Sequence, residues 1–224
     1  YMYKVGWIGL GHMGMPMCKN LVKGGCQVIA RDAQKEKEKV VVDMGAVWAG
    51  SVKEVAEKAD YIFTMIPDGK ILREIVMGKD GLNEGLTPGK ILIDMSTVSA
   101  VDSAAVNDVL EAQGCKLLRS PVTGSTGPAA QGTLGLMISG DPEVFKQAEP
   151  LLDLLGKDKY WLGEKEEARV MKIALNTIVG NISQLLAEAV SLAEKAGIPV
   201  EKCMEVIMGS AVQNLIIASK VELI

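Results

Sequence analysis

Aromatic residues are scarce in this chain of 224 residues: three Trp, four Tyr and two Phe, 4% in all. A core must therefore come from Val, Ile, Leu, Ala and Met, and an apolar share of 48% is enough to build one. An excess of basic residues is also missing. The 24 Lys and Arg face 28 Asp and Glu, so broad phosphate neutralisation, and with it general nucleic-acid binding, is disfavoured. No uninterrupted apolar run reaches the roughly 18 residues of a spanning helix, which predicts no membrane partner. The N-terminus lacks a basic segment leading into a long apolar one, so no secretory signal is expected. Met2 reads as the natural start, with Tyr1 as an addition. The four cysteines, Cys18, Cys26, Cys115 and Cys203, show neither CxxC nor zinc spacing. They read as reduced thiols of a cytoplasmic protein, and no metal site is expected.

Glycine, by contrast, is plentiful at 24 residues, above the usual share of roughly 7%, which points to tight turns and close backbone approaches. Short apolar runs alternate with amphipathic stretches. Val5–Ile8, Gln27–Ala30, Tyr61–Ile66, Ile91–Asp94, Cys115–Leu118, Leu134–Ser139 and Tyr160–Leu162 read as strands. Met13–Lys23, Lys35–Met44, Val52–Lys58, Ser99–Gln113 and Pro142–Leu155 read as helices, with Val40, Val41 and Met44 inward on the second. Ser51 with Glu54 has the spacing of a capping box. This alternation predicts an α/β fold with a doubly wound parallel sheet covered on both faces. After the charged run Glu164–Glu167 no strand signal appears. Val170–Ala196 reads as one long helix, ended by Gly197-Ile198-Pro199, and Val200–Met208 as another. The expected division is 1–163, a Rossmann-type domain, and 164–224, the beginning of an all-helical domain.

Gly9-Leu10-Gly11-His12-Met13-Gly14 matches GxGxxG between the first strand and the first helix. That context is the dinucleotide fingerprint. Gly9 permits the turn, Gly11 lets a pyrophosphate approach, and Gly14 lets helix and strand pack closely. The anion would sit at the helix N-terminus. Asp32 ends the second strand, where a carboxylate bonds the ribose diol and repels a 2′-phosphate, favouring NAD. Arg31 beside it could instead accommodate that phosphate, so NADP stays open. His12, the only histidine, reads as facing the pyrophosphate or solvent.

Further blocks carry a resemblance to the β-hydroxyacid dehydrogenase family. They are the Gly9 loop through Met17 with Asn20-Leu21; Asp94-Met95-Ser96-Thr97; Pro121-Val122-Thr123-Gly124 with Gly132-Thr133-Leu134; and Lys172 with Asn176. The resemblance implies that the loop, Asp32, Met65-Ile66-Pro67 and Thr97 line the dinucleotide. It implies that Thr97 and the turn Thr123-Gly124-Ser125 hold a small substrate carboxylate. Lys172 would be the catalytic acid/base and Asn176 would orient substrate. Lys172 alone also fits an exposed helix lysine; with Asn176 at i+4 it shares one helix face. The chain departs from the family with Thr123 where Ser is usual, with Ser125 where Gly is common, and with Glu164–Ala168 in place of a glycine-rich run.

The implied activity is hydride transfer between NAD and a small 3-hydroxy acid, or reduction of the matching semialdehyde. A dinucleotide-binding module without turnover is the alternative, as is an NADP-dependent glyoxylate/succinic semialdehyde reductase. The helical domain would continue past residue 224. Ile173, Ile178, Leu185, Leu186 and Leu192 on the long helix would be covered by another copy in a dimer or tetramer.

Overall fold

The computed structural model describes residues 2–221; Tyr1 and the end of the chain, on which two of the readings above fall, lie outside them. The chain divides into two compact units, Tyr1–Lys172 and Ile173–Ile224.

The first unit opens with β1 (Lys4–Ile8), α1 (Gly14–Lys23) and β2 (Gln27–Arg31). A single 3₁₀ turn then leads into α2 (Glu38–Asp43), followed by β3 (Val47–Trp48), α3 (Val52–Lys58) and β4 (Tyr61–Thr64). Ser51 caps α3, accepting from the Glu54 amide at 3.1 Å, and Glu54 reaches back to the Gly50 N–H at 2.6 Å. That is the reciprocal logic of a capping box, displaced by one residue. Asp68 likewise caps α4 (Gly69–Met77), and Ser99 caps α5 (Ala100–Ala112), which follows β5 (Ile91–Asp94). β6 (Lys116–Arg119), β7 (Val122–Thr123), α6 (Thr126–Gln131), β8 (Leu134–Ser139), α7 (Pro142–Leu152) and β9 (Gly156–Gly163) complete the layer.

The strands lie in the order β3-β2-β1-β4-β5-β6-β8-β7, with β9 also on β8. From β3 to β6 every pairing is parallel. The sheet is mostly parallel, as expected; β8 runs antiparallel to its neighbours β6 and β7. β6 and β7 both run opposite to β8, so the chain reverses between Thr123 and Leu134, in the short connection that carries α6. Alternate residues feed two cores on opposite faces. Val5 and Trp7 enter one, with Leu21, Phe63 and Ile93; Ile8 enters the other, with Val55, Ile62 and Leu92. Val40, expected inside α2, is exposed: neighbours on a helix lie about 100° apart, and Val41 is the one turned to the core.

α8 (Glu167–Lys195) begins in the first unit and continues into the second, joined there by α9 (Val200–Met208) and the short α10 (Leu215–Ala218). In the second unit, Leu186, Val190, Met204 and Ile217 form a small core. Leu186 was expected among the uncovered residues and is instead buried there. Among the described residues one helix, α8, is long and apolar enough to cross a membrane by length and composition. Asn176, Asn181 and Gln184 still break its apolar runs.

Candidate active site

The chain reverses its winding direction between β1 and β4, and such a switch point leaves a crevice outside the carboxyl ends of the strands. A cleft of about 810 Å³ lies there. Gly9, Gly11, His12, Met13 and Gly14 line one side, Arg31, Asp32 and Lys37 the second, and Met65, Ile66 and Pro67 the third. Val52, Ile71 and Ile75 add an apolar wall suited to a flat ring system. Leu10 is placed differently, with its side chain buried in the core; it offers the site only its backbone. Thr97, exposed just past β5, is outside the lining of this cleft.

The loop geometry explains its glycines. Gly9 sits at φ +96°, and a Cβ there would lie 2.2 Å from the Met65 carbonyl oxygen. A Cβ on Gly14 would lie 2.1 Å from the Gly9 carbonyl oxygen, so helix and loop touch backbone to backbone. A Cβ on Gly11 would meet nothing within 4 Å; it would project into open space. No side chain caps α1, and no acidic residue sits in its first turn. Trp7 secures the loop from beneath, donating through Nε1 to the Gly9 carbonyl at 2.7 Å and stacking on Phe63. The residues present therefore fit a dinucleotide: an open cradle over Gly11 and uncapped amides for the pyrophosphate.

Asp32 is already engaged. Its Oδ2 accepts from the Leu10 amide at 2.7 Å and from Lys37 Nζ at 3.0 Å; its Oδ1 accepts from the Gln34 amide at 2.8 Å. Partial burial pushes the carboxyl up, but the Gln34 and Leu10 amides and the Lys37 ammonium outweigh it and hold the group below its ordinary range. Arg31 lies over the Trp48 ring at 5.2 Å.

Of the other candidate residues, Thr97 follows β5, Thr123 ends β7 with Gly124 and Ser125 after it, and Lys172 and Asn176 lie on α8. Thr123, Gly124 and Ser125 are exposed in the turn before α6, with Gly124 at φ +124° and the Ser125 side chain making no cap bond. Asn20 of α1 donates to the Ala129 carbonyl at 2.9 Å, tying α6 to the glycine-loop helix. Lys172 is half-buried. Among the described residues it has no ion-pair partner, and desolvation lowers its pKa. Asn176 is exposed on α8 within the second unit.

Several residues of the site went unread in the sequence. Val52, Ile71 and Ile75 were accessible through their helical spacing. Arg169, wholly buried at the start of α8, gave no local signal at all.

Residues 4–163 match the model of the NAD-binding domain of 6-phosphogluconate dehydrogenase. The chain is 34% identical over 208 residues to glyoxylate/succinic semialdehyde reductase 2, chloroplastic, of Arabidopsis thaliana, covering 93% of this chain and 58% of that protein. It is 34% identical to 2-(hydroxymethyl)glutarate dehydrogenase of Eubacterium barkeri, covering 98% of this chain and 73% of that one. Among solved structures it is similar to the Mycobacterium tuberculosis 3-hydroxyisobutyrate dehydrogenase with L-serine. There the TM-score is 0.87 and the identity 28%, over 99% of this chain and 75% of that one. The chain thus spans between about three fifths and three quarters of these relatives. With the glycine cradle at the switch point and these matches along nearly its whole length, the chain belongs to the β-hydroxyacid dehydrogenase family of NAD(P)-dependent oxidoreductases.

Proposed function

We propose that the protein transfers a hydride between NAD and a small 3-hydroxy acid, or reduces the matching semialdehyde, with Lys172 as the acid/base. The observation that carries this reading is a half-buried, unpaired lysine whose pKa is lowered by desolvation. Its helix starts beside the carboxyl end of β5, where Arg169 meets Asp94 and Ser96. A bound dinucleotide supplies the hydride acceptor, or in reverse the donor. The chain's own residues do the rest. The Gly9–Gly14 loop holds the pyrophosphate through backbone amides. The Thr123-Gly124-Ser125 turn, with Thr97, holds the substrate carboxylate through N–H and hydroxyl donors. Lys172, as the free amine, takes the hydroxyl proton while the carbonyl forms; in the reducing direction its ammonium returns that proton. Asn176, one turn along the same helix, orients the substrate.

NADP is the second reading, favoured by the commitment of Asp32 to Leu10, Gln34 and Lys37 while Arg31 and Lys37 line the cleft. The uncovered apolar length of α8 we read as a surface between copies of the chain. Thr177 and Ser183 turn their hydroxyls onto backbone carbonyls, and Gln184 bonds Glu188. Asn176 and Asn181 interrupt the helix with amides that are costly in hydrocarbon. Four free thiols suit a reducing compartment such as the cytoplasm.

A panel of small 3-hydroxy acids and semialdehydes, assayed with both dinucleotides by nicotinamide absorbance, tests the reading. Turnover with at least one substrate is expected. Tight dinucleotide binding with no turnover across the panel would leave the module without catalysis.

A further inference from the structure

Two charges are sealed inside the first unit where neither strand nor helix requires them. Asp94 ends β5 and Arg169 sits in the first turn of α8; both side chains are 0% exposed, and they form an ion pair. The guanidinium reaches further. Nη1 donates to the Ser96 carbonyl at 2.8 Å and Nε to Ser103 Oγ of α5 at 3.3 Å. A planar fork that meets acceptors on two elements fixes both the height and the rotation of the turn that carries it.

The acceptors connect to the cleft wall through Ile66. Asp94 Oδ1 accepts from Thr64 Oγ1 at 2.6 Å and from Ser96 Oγ at 2.7 Å. Ser96 Oγ in turn accepts from the Ile66 amide at 2.9 Å. One buried network therefore runs from Ile66, in the wall of the dinucleotide cleft, to Arg169, three residues before Lys172. A second pair steadies the same turn, with Arg119 Nε donating to Glu166 Oε1 at 2.9 Å. Ser139 Oγ accepts from the Ala168 amide at 3.2 Å.

Stability does not account for such a pair. Removing two charges from water costs about as much as their attraction returns, and apolar replacements of buried pairs are often neutral. What a buried pair does secure is geometry. Acid–base catalysis depends on that geometry, since a misplacement of about 1 Å can cost on the order of 10²-fold.

We propose that Arg169 is a positioning residue: through Asp94 and Ser96 it sets the height and rotation of Lys172 against the cleft wall at Ile66. This rests on the reading of Lys172 as the acid/base. The desolvation that lowers the Lys172 pKa is then partly a product of this placement.

The test compares wild type with Arg169→Lys and with the double variant Asp94→Asn/Arg169→Gln. The double variant keeps an acceptor for Thr64 and Ser96 and leaves no lone buried charge, so it answers for Arg169 should the single variant fail to fold. Three quantities are measured: dinucleotide Kd by tryptophan fluorescence; kcat and KM; and the Lys172 titration by NMR of protein reductively methylated with ¹³C, assigned with Lys172→Arg. Kd should stay within about twofold, whereas kcat should fall at least tenfold toward the hundredfold scale of a misplaced group. The Lys172 resonance should titrate closer to the ordinary value of about 10.4. A folded variant with wild-type kcat and wild-type Lys172 titration overturns the proposal. The NMR titration needs no turnover. If Lys172→Met retains full activity, the acid/base reading falls, while the titration still decides whether Arg169 places that lysine.

Discussion

At the scale of single residues, Lys172 and Asp32 make opposite use of their surroundings. Burial without a partner disfavours the ammonium of Lys172 and lowers its pKa. The free amine therefore becomes available at a lower pH than for an exposed lysine. Oxidation of the hydroxy acid should accelerate as pH rises through that pKa; reduction, which needs the ammonium, should slow over the same range. Lys172→Met should lose on the order of 10²–10⁴-fold in kcat, with dinucleotide Kd nearly unchanged. Wild-type turnover in that variant would remove the lysine from the chemistry. Asp32, in contrast, is stabilised as the carboxylate, so its bonds to Leu10 and Gln34 persist across neutral pH and fail only in acid. Asp32→Asn removes the charge that repels a 2′-phosphate. The ratio of NADP to NAD affinity should rise about tenfold, equivalent to roughly 1.4 kcal/mol. Titration of both dinucleotides checks this; an unchanged ratio would hand the discrimination to Arg31 and Lys37.

At the scale of the element, the turn from β1 into α1 separates two kinds of glycine. Gly14 faces the Gly9 carbonyl so closely that any Cβ must displace backbone. Gly14→Ala should cost about 1–3 kcal/mol of stability, the range for forced overpacking. Gly11 faces only open space. Gly11→Ala should leave stability within about 0.5 kcal/mol and still weaken dinucleotide binding, because the methyl fills the cradle meant for the pyrophosphate. Thermal melts with and without NAD read both effects. Equal losses of stability in the two variants would contradict the division. The root of α8 behaves as one element too, held by Asp94, Glu166 and Ser139 contacts that no side chain of the helix could make alone.

For the whole molecule, the second unit is the part short of cover. Its core rests on Leu186, Val190, Met204 and Ile217, while Ile173, Ile178, Leu185 and Leu192 stay exposed. Burying each such side chain is worth roughly 1.5–3 kcal/mol, which favours association of copies through α8. Sedimentation at micromolar concentration should detect a dimer or tetramer, and Leu185→Glu with Leu192→Glu should shift it to monomer without unfolding. A wild-type monomer under those conditions would rule out the assembly.

Features that depend on neighbouring residues were legible from the chain alone. The glycine loop is one, since its requirement for φ above zero at Gly9 and for a bare Cα at Gly11 and Gly14 is written into residue type. Another is α9, whose apolar spacing marks Val200–Met208 with no help from partners. The βα alternation and the family followed from the same local signals. Features that depend on meeting a distant segment were not legible. Which of the neighbours Val40 and Val41 turns inward depends on how α2 lies against the sheet, and the antiparallel β8 follows from the reversal across α6. Arg169 and Asp94 lie 75 positions apart. Nothing local to either residue says that the other will neutralise it. Closure of the sheet against α5 and α8 brings the two charges together, excludes water from around them and turns an ordinary arginine into the anchor of the lysine's helix.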